Sequence, residues 1–212
     1  MDAVDRYIRL ALEPDLAGLA RLLDETIEEV GPLAGYDELV RPALVEVGRR
    51  WERDELTVGD EHLITALTEQ VLTDLSRRHT GSDHVAVVAC TPANRHRVGL
   101  LMVTDALGLA GWQPIVMAAQ TPALDIARTA RDRGAQLIAL SVGLEVELDD
   151  LADQLDGIRE VVGAEVPILL GGGPLARHPE GFRPPAGVTV CLSAHEAHAQ
   201  GSRLLGLVGS SA

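Results

Sequence analysis

Two regimes of hydrophobic patterning divide the chain. Through the first 80 residues apolar positions recur at helical spacing, and no run reads as a strand. The spacing predicts a short helix over 2–12 that stops at Glu13-Pro14, with Pro14 opening a second helix in its first turn. Leu16, Leu19, Leu23, Ile27 and Val30 form one stripe of that second helix, and Gly31-Pro32 ends it. A third helix carries Leu39, Leu44, Val47 and Trp51 inward, with Pro42 tolerated early in it. A fourth runs over about 58–78, its stripe containing His62, Leu63, Ala66, Leu67, Val71 and Leu75. Four such patterns with short breaks predict a helical bundle over residues 1–80, joined to the rest of the chain by the polar segment 79–83.

From residue 84 the pattern alternates. Strands are expected at 85–90, 114–118, 136–141, 166–170 and 188–192, and helices at 98–110, 123–133, 148–162 and from about 194. Five strands alternating with helices predict a flavodoxin-like, doubly wound parallel sheet over residues 84–212. The fold class expected is therefore α plus α/β, a four-helix bundle followed by a five-stranded sheet. Residues 173–187, rich in Pro and Gly, read as a long loop at the ligand end of the sheet.

Composition narrows the functions that fit. Eighteen basic against 32 acidic residues give a formal charge of -14, which opposes direct binding to nucleic acid or to an anionic membrane. Cys90 and Cys191 fall in or beside apolar runs, as small buried thiols do, and imply no disulfide framework, which suits a reducing cytoplasm. The amino terminus is acidic and amphipathic, and no apolar run is long enough to span a bilayer, so a cytoplasmic protein is expected.

Candidate chemistry collects at three strand ends. After the first, Asn94-Arg95-His96-Arg97-Val98-Gly99 places His96 on a strand-to-helix loop, with Asn94 able to fix the ring tautomer through a hydrogen bond. After the third comes Ser141-Val142-Gly143, and after the fourth Gly171-Gly172-Gly173. Small residues there let a flat or elongated ligand approach the backbone. A lone loop histidine is ordinarily structural; three matched strand ends are more specific.

Those three blocks and their intervals resemble the cobalamin-binding domains that hold the cofactor with its own base displaced, whose pattern is Asp-x-His-x-x-Gly, Ser-x-Leu and Gly-Gly. The resemblance implies that His96 is the lower axial ligand of cobalt, that Ser141 meets the displaced benzimidazole, and that Gly171 and Gly172 line the slot for the nucleotide tail. Asn94 replaces the usual Asp, which implies weaker electron donation to cobalt; Gly143 replaces Leu, which implies a looser wall of the slot.

In the bundle, Trp51 near the end of the third helix and Glu61-His62 near the start of the fourth flank the Thr57-Val58-Gly59 turn. Read from spacing, these are a buried Trp, a Glu suited to a helix N-terminus and a core histidine. The interval from Trp51 to Glu61-His62 also resembles the upper-face motif of the CarH-type cobalamin photoreceptor family, in which a helical cap covers an adenosyl group. Trp51, Glu61 and His62 would then cover the upper ligand of adenosylcobalamin, or of another cobalamin. Glu52 stands where the light-responsive repressors have a His that takes cobalt after photolysis, so a bis-histidine light product through that position is not available. The chain begins directly with the bundle and shows no helix-turn-helix; in this it is similar to the stand-alone, photocobilin-like members, some of which also hold biliverdin, although no residue here identifies a bilin site. A signal would pass through homo-oligomerisation or a protein partner.

The same pattern admits rival readings. A corrinoid carrier of a methyltransferase system resembles the same two-part architecture, but a Trp with a Glu-His pair suits an adenosyl group better than a methyl. The small subunit of an adenosylcobalamin mutase usually lacks a cap, and a response-regulator-like domain that binds nothing conflicts with the three strand ends. Cys191, His195 and His198 lack a fourth metal ligand. The acidic run Glu145, Glu147, Asp149, Asp150 and Asp153 reads as a solvated helix start. Gly171 to Gly173 carry neither a P-loop lysine nor a dinucleotide fingerprint.

Overall fold

Asp2 caps the first helix, α1 (Ala3–Leu12), by accepting a hydrogen bond from the Asp5 N–H at 2.7 Å. In the computed structural model, which describes residues 2–76, 82–117 and 119–209, the chain divides into two compact units, residues 1–77 and 78–212. Helix α2 (Leu16–Val30) is capped by Asp15, whose carboxylate takes the Gly18 N–H at 2.9 Å. Pro14 therefore lies ahead of the cap and not in the first turn. Leu19, Leu22 and Leu23 are buried, whereas Val30 at the helix end is exposed.

The expected third helix is broken into α3 (Pro32–Gly35), a π-helical turn over Tyr36–Val40, and α4 (Arg41–Glu52). Pro42 has no N–H to give, and its ring would crowd the preceding turn of a regular helix. The wider turn, closed by the Arg41 N–H on the Tyr36 carbonyl, relieves that conflict. The extra residue resets the buried face to Tyr36, Leu39, Val40, Ala43 and Val47. Leu44 becomes half-buried, and Trp51 emerges 48% exposed where an inward position was expected.

Helix α5 (Val58–Ser76) begins at a capping box: Thr57 Oγ1 accepts from the Asp60 N–H at 3.1 Å, and Asp60 accepts from the Thr57 N–H at 2.9 Å. Its buried face is Ile64, Thr68, Val71, Leu72 and Leu75, so the stripe is rotated from the expected one and His62 and Ala66 are exposed. This helix is apolar on two sides. The bundle takes the side on which the Thr68 hydroxyl meets the Tyr7 hydroxyl at 2.8 Å, with both residues buried. Burial pushes the Tyr7 phenol up to about 12. Residues 77–81, which include the end of the expected fourth helix and most of the 79–83 junction, lie outside the described residues.

The second unit alternates β1 (Val85–Cys90), α6 (Val98–Leu109), β2 (Gln113–Val116), α7 (Ala123–Asp132) and β3 (Leu137–Val142). After a 3-10 turn at Glu145–Leu148 come α8 (Leu151–Val162), β4 (Ile168–Gly172), α9 (Gly173–Arg177), β5 (Val188–Cys191) and α10 (Ala194–Gly209). All pairs are parallel in the order β2-β1-β3-β4-β5, the flavodoxin-like arrangement. Residue 118, the end of the expected second strand, is outside the described residues. Val87, Ala89, Ile138, Leu140, Ile168 and Leu170 form one core with Ile126, Leu151, Leu155 and Ile158 from the helices. On the other side the buried Trp112 donates its indole N–H to the Gly201 carbonyl at 2.9 Å, fixing α10 beside α6.

Two details of the sheet move the candidate residues. Strand β4 starts two residues later than expected and runs through Gly171 and Gly172, and Ser141 is within β3. The register aligns Cys90, Ser141, Gly171 and Cys191 in one row across four strands. The segment expected to be one loop over 173–187 contains α9.

Candidate functional site

The strand order reverses between β1 and β3, and the loops leaving their carboxyl ends bound the crevice where ligands bind in such sheets. The first loop is tied down by Asn94, which is fully buried. Its amide donates to the Ser141 carbonyl at 2.9 Å, and its Oδ1 accepts the backbone N–H of His96 at 2.7 Å. Asn94 thus fixes the main chain of His96, not the ring tautomer that the sequence suggested. The Cys90 thiol donates to the His96 carbonyl at 3.7 Å. Both backbone polar groups of His96 are held while its side chain, like that of Arg95, is exposed.

The second loop meets the first through a residue that sequence reading placed in solvent. Glu147 is only 4% exposed. Its Oε2 accepts the N–H groups of Gly143 and Leu144 at 3.0 and 2.9 Å, and its Oε1 accepts the Thr91 hydroxyl at 2.7 Å. A charge run predicts solvation, but two backbone donors and a hydroxyl replace the water here. Gly143 does not loosen a wall: a Cβ there would overlap the Asn94 amide, so Asn94 already fills that space. Val142, the last residue of β3, is buried.

The glycines of β4 serve close packing. Gly172 has φ +131°, and a Cβ on it would overlap the Val142 carbonyl; one on Gly171 would lie 2.8 Å from the Cys191 carbonyl. A Cβ on Gly99, in the first turn of α6, would come 3.1 Å from the Ser141 hydroxyl, and one on Gly173 would lie 3.1 Å from an Arg177 nitrogen. The loops after β3 and β4 meet where Glu145 pairs with Arg177 at 3.2 Å and His178 at 3.3 Å. These three residues, with Leu148 and Pro179, line a cavity of about 580 Å³ that the motifs did not reveal.

In the helical unit, Trp51 lies in the last turn of α4 and Glu61-His62 in the first turns of α5, joined by residues 53–57. His62 Nδ1 pairs with Glu61 Oε2, and Glu61 Oε1 accepts the Thr65 hydroxyl at 2.9 Å. His62 is thus not the core histidine that spacing suggested, its side chain being 74% exposed. Among the described residues no group of three or more His, Cys, Asp or Glu is arranged to hold a metal. Near Cys191 and His195, Ser193 and Glu196 instead cap α10, with Glu196 accepting the Leu192 N–H at 2.8 Å.

Two families, each described as "B12 binding domain", match residues 3–75 and 84–200, the second match covering more than half of the chain. The chain belongs to the B12-binding domain family. Its cofactor is accordingly a cobalamin. Among curated relatives it is 29% identical over 165 residues to the HTH-type transcriptional repressor CarH of Myxococcus xanthus, covering 77% of this chain and 55% of that protein. It is 30% identical over 167 residues to the repressor CarA of the same organism, covering 76% and 54%. The chain spans about half the length of these relatives. Among solved structures the monomethylamine corrinoid protein of Methanosarcina barkeri has the same fold, with TM-score 0.73 and 18% identity over 95% of this chain and 98% of that one.

The residues at the β1/β3 crevice fit a cobalamin. An exposed imidazole stands on a main chain held at both polar groups, and beside it the row Ser141–Gly171 presents strand ends without bulky side chains. Among the described residues no helix is long and apolar enough to cross a membrane.

Proposed function

We propose that the chain is a light sensor that binds adenosylcobalamin with the cofactor's own base displaced, His96 on cobalt, and a helical cap formed by residues 1–80. The observation that carries this reading is the large exposed indole of Trp51, beside the turn that leads to the Glu61–His62 pair. An aromatic ring left outside its own bundle core is surface suited to a partner. An adenosyl group offers a purine face to stack on and ribose hydroxyls for the polar pair; a methyl group offers neither.

Each residue then has a role. His96 gives its nitrogen lone pair to cobalt, and Asn94 holds the His96 backbone in place. Ser141, Val142 and Gly143, with Gly171, Gly172 and Gly173, line the slot for the displaced base and tail, and Arg95 and Gly99 flank it. When bound, the cofactor supplies a cobalt–carbon bond weak enough for visible light to break. Trp51, Glu61 and His62 are the side chains whose surroundings change on illumination, and that change biases the arrangement or assembly of the two units. The chain acts as a cytoplasmic sensor and not as a catalyst, with output through self-association or a protein partner and without direct contact to nucleic acid.

One observation favours a second reading. Glu52, which is exposed, offers no imidazole beside Trp51, and a corrinoid carrier that shields a methyl group needs none. Size-exclusion chromatography of the chain reconstituted with adenosylcobalamin in the dark, before and after green light, separates the two. A light-dependent change in elution supports the sensor; bound cobalamin with identical elution removes self-association as its output and favours the carrier. Biliverdin, added to the same samples, tests for a second chromophore.

A further inference from the structure

The carboxylate of Glu147 is buried at the point where the loops after β1 and β3 meet, and nothing in the ligand role of His96 accounts for it. Burying a charge is costly unless it is fully hydrogen-bonded. Here it accepts three donors, two of them backbone N–H groups from its own loop and one the Thr91 hydroxyl of the histidine loop.

The Thr91 hydroxyl has one proton and two acceptors within reach, Glu147 Oε1 at 2.7 Å and the Ser141 carbonyl at 3.3 Å. The shorter contact to a charged acceptor takes it. That choice matters because the Ser141 carbonyl already accepts the Thr91 N–H at 3.0 Å and the Asn94 amide at 2.9 Å. A carbonyl has two lone pairs, and both are used. A third donor would compete with Asn94, the residue whose Oδ1 fixes the His96 N–H.

We infer that Glu147 is a positioning residue for His96: by drawing the Thr91 proton away from the Ser141 carbonyl, it reserves that carbonyl for Asn94 and so sets the height and angle of the histidine loop. The inference rests on His96 being the lower cobalt ligand. Glu147→Gln keeps the size of the side chain but turns an NH₂ toward Thr91, which sends the Thr91 proton to Ser141. Thr91→Val removes the competing proton itself, so the Ser141 carbonyl stays with Asn94 whatever stands at 147, and the bonds from Gly143 and Leu144 to Glu147 remain.

The test is the absorption spectrum of the chain saturated with methylcobalamin in the dark, for wild type, both single variants and the double variant, each read as the ratio of His-ligated to base-off, His-free cofactor. Glu147→Gln is expected to lower that ratio about fivefold, the worth of one hydrogen bond, Thr91→Val to leave it within about twofold of wild type, and the double variant to recover most of the loss, because the proton that competes with Asn94 is gone. A fully His-ligated spectrum in Glu147→Gln would overturn the inference and leave Glu147 a staple of the two loops. A loss in the double variant as large as that in Glu147→Gln would overturn it as well. If Glu147→Gln does not fold, Thr91→Val decides alone: a ratio within about twofold of wild type is expected, and a loss of about fivefold would overturn the inference. A wild-type spectrum with bound but His-free cofactor would instead sink the assignment of His96 on which the inference rests.

Discussion

The side chain of Asn94 occupies the space in which a side chain at Gly143 would begin. Two loops that are 49 positions apart in sequence are thereby locked, one supplying the amide and the other the vacancy it fills. The lack of a side chain at Gly143, where the family pattern has Leu, is what leaves room for the side chain at position 94.

Gly143→Ala must therefore displace Asn94 and should destabilise the sheet unit by about 2 to 3 kcal/mol. In an Asn94→Ala background, where the obstructing atoms are gone, the same change should add less than about 1 kcal/mol. Urea unfolding followed by the buried Trp112, with Trp51→Phe in every sample so that one indole reports, measures both. Equal losses in the two backgrounds would contradict the pairing.

The alkaline limit of the bundle should track Tyr7. Its phenol is buried and raised to about 12, above the unfolded value near 10. A raised folded value means that the stabilisation is complete below pH ~10 and is lost as pH rises toward 12. The 212 residues contain no lysine, so no ammonium titrates in that window. Tyr7→Phe should cost about 1 kcal/mol at neutral pH through the loss of the Thr68 partner, yet flatten the alkaline decline, followed by far-ultraviolet circular dichroism. In the other unit, Cys191, raised to about 11 by burial and by Glu196, should add a separate loss that begins lower, as pH rises from about 9 toward 11.

Trp51 is 48% exposed and outside the buried core of its unit, so Trp51→Ala should lower the thermal stability of the cofactor-free chain by no more than about 1 kcal/mol. The same variant should bind adenosylcobalamin about tenfold more weakly, the upper end of what one stacking partner contributes, with methylcobalamin affinity nearly unchanged. Isothermal titration in the dark gives both numbers. Parallel losses for the two cofactors would remove Trp51 from contact with the upper ligand.

The alternation of strands and helices was legible because the buried strands, such as Val85 to Cys90, are unbroken apolar runs and the helices between them are long enough to declare their period. The bundle was harder. A single inserted residue at Tyr36–Val40 rotates everything after it, and the pattern from Leu39 to Trp51 carries no mark of that insertion. In α5, Leu63 and Leu67 lie on one side and Ile64 and Leu72 on the other, so periodicity could not choose which side the bundle buries. At the site, His96, Ser141 and the glycines were visible as types at strand ends. Glu147 was not, because its burial depends on Thr91, 56 positions away, and an acidic run by itself reads as a solvated helix start.

The role of His96 is tested most directly by electron paramagnetic resonance of the bound cofactor in its cobalt(II) form, on protein uniformly labelled with nitrogen-15 and carrying unlabelled cobalamin. The unpaired electron points along the axis to the lower ligand, and its coupling counts that ligand's nuclear spin states. A doublet splitting in the labelled protein, lost in His96→Ala, is the expected result, since only a protein nitrogen carries the label. A triplet would mean that the cofactor's own base stays on cobalt, and would contradict the His96 assignment and the sensor built on it.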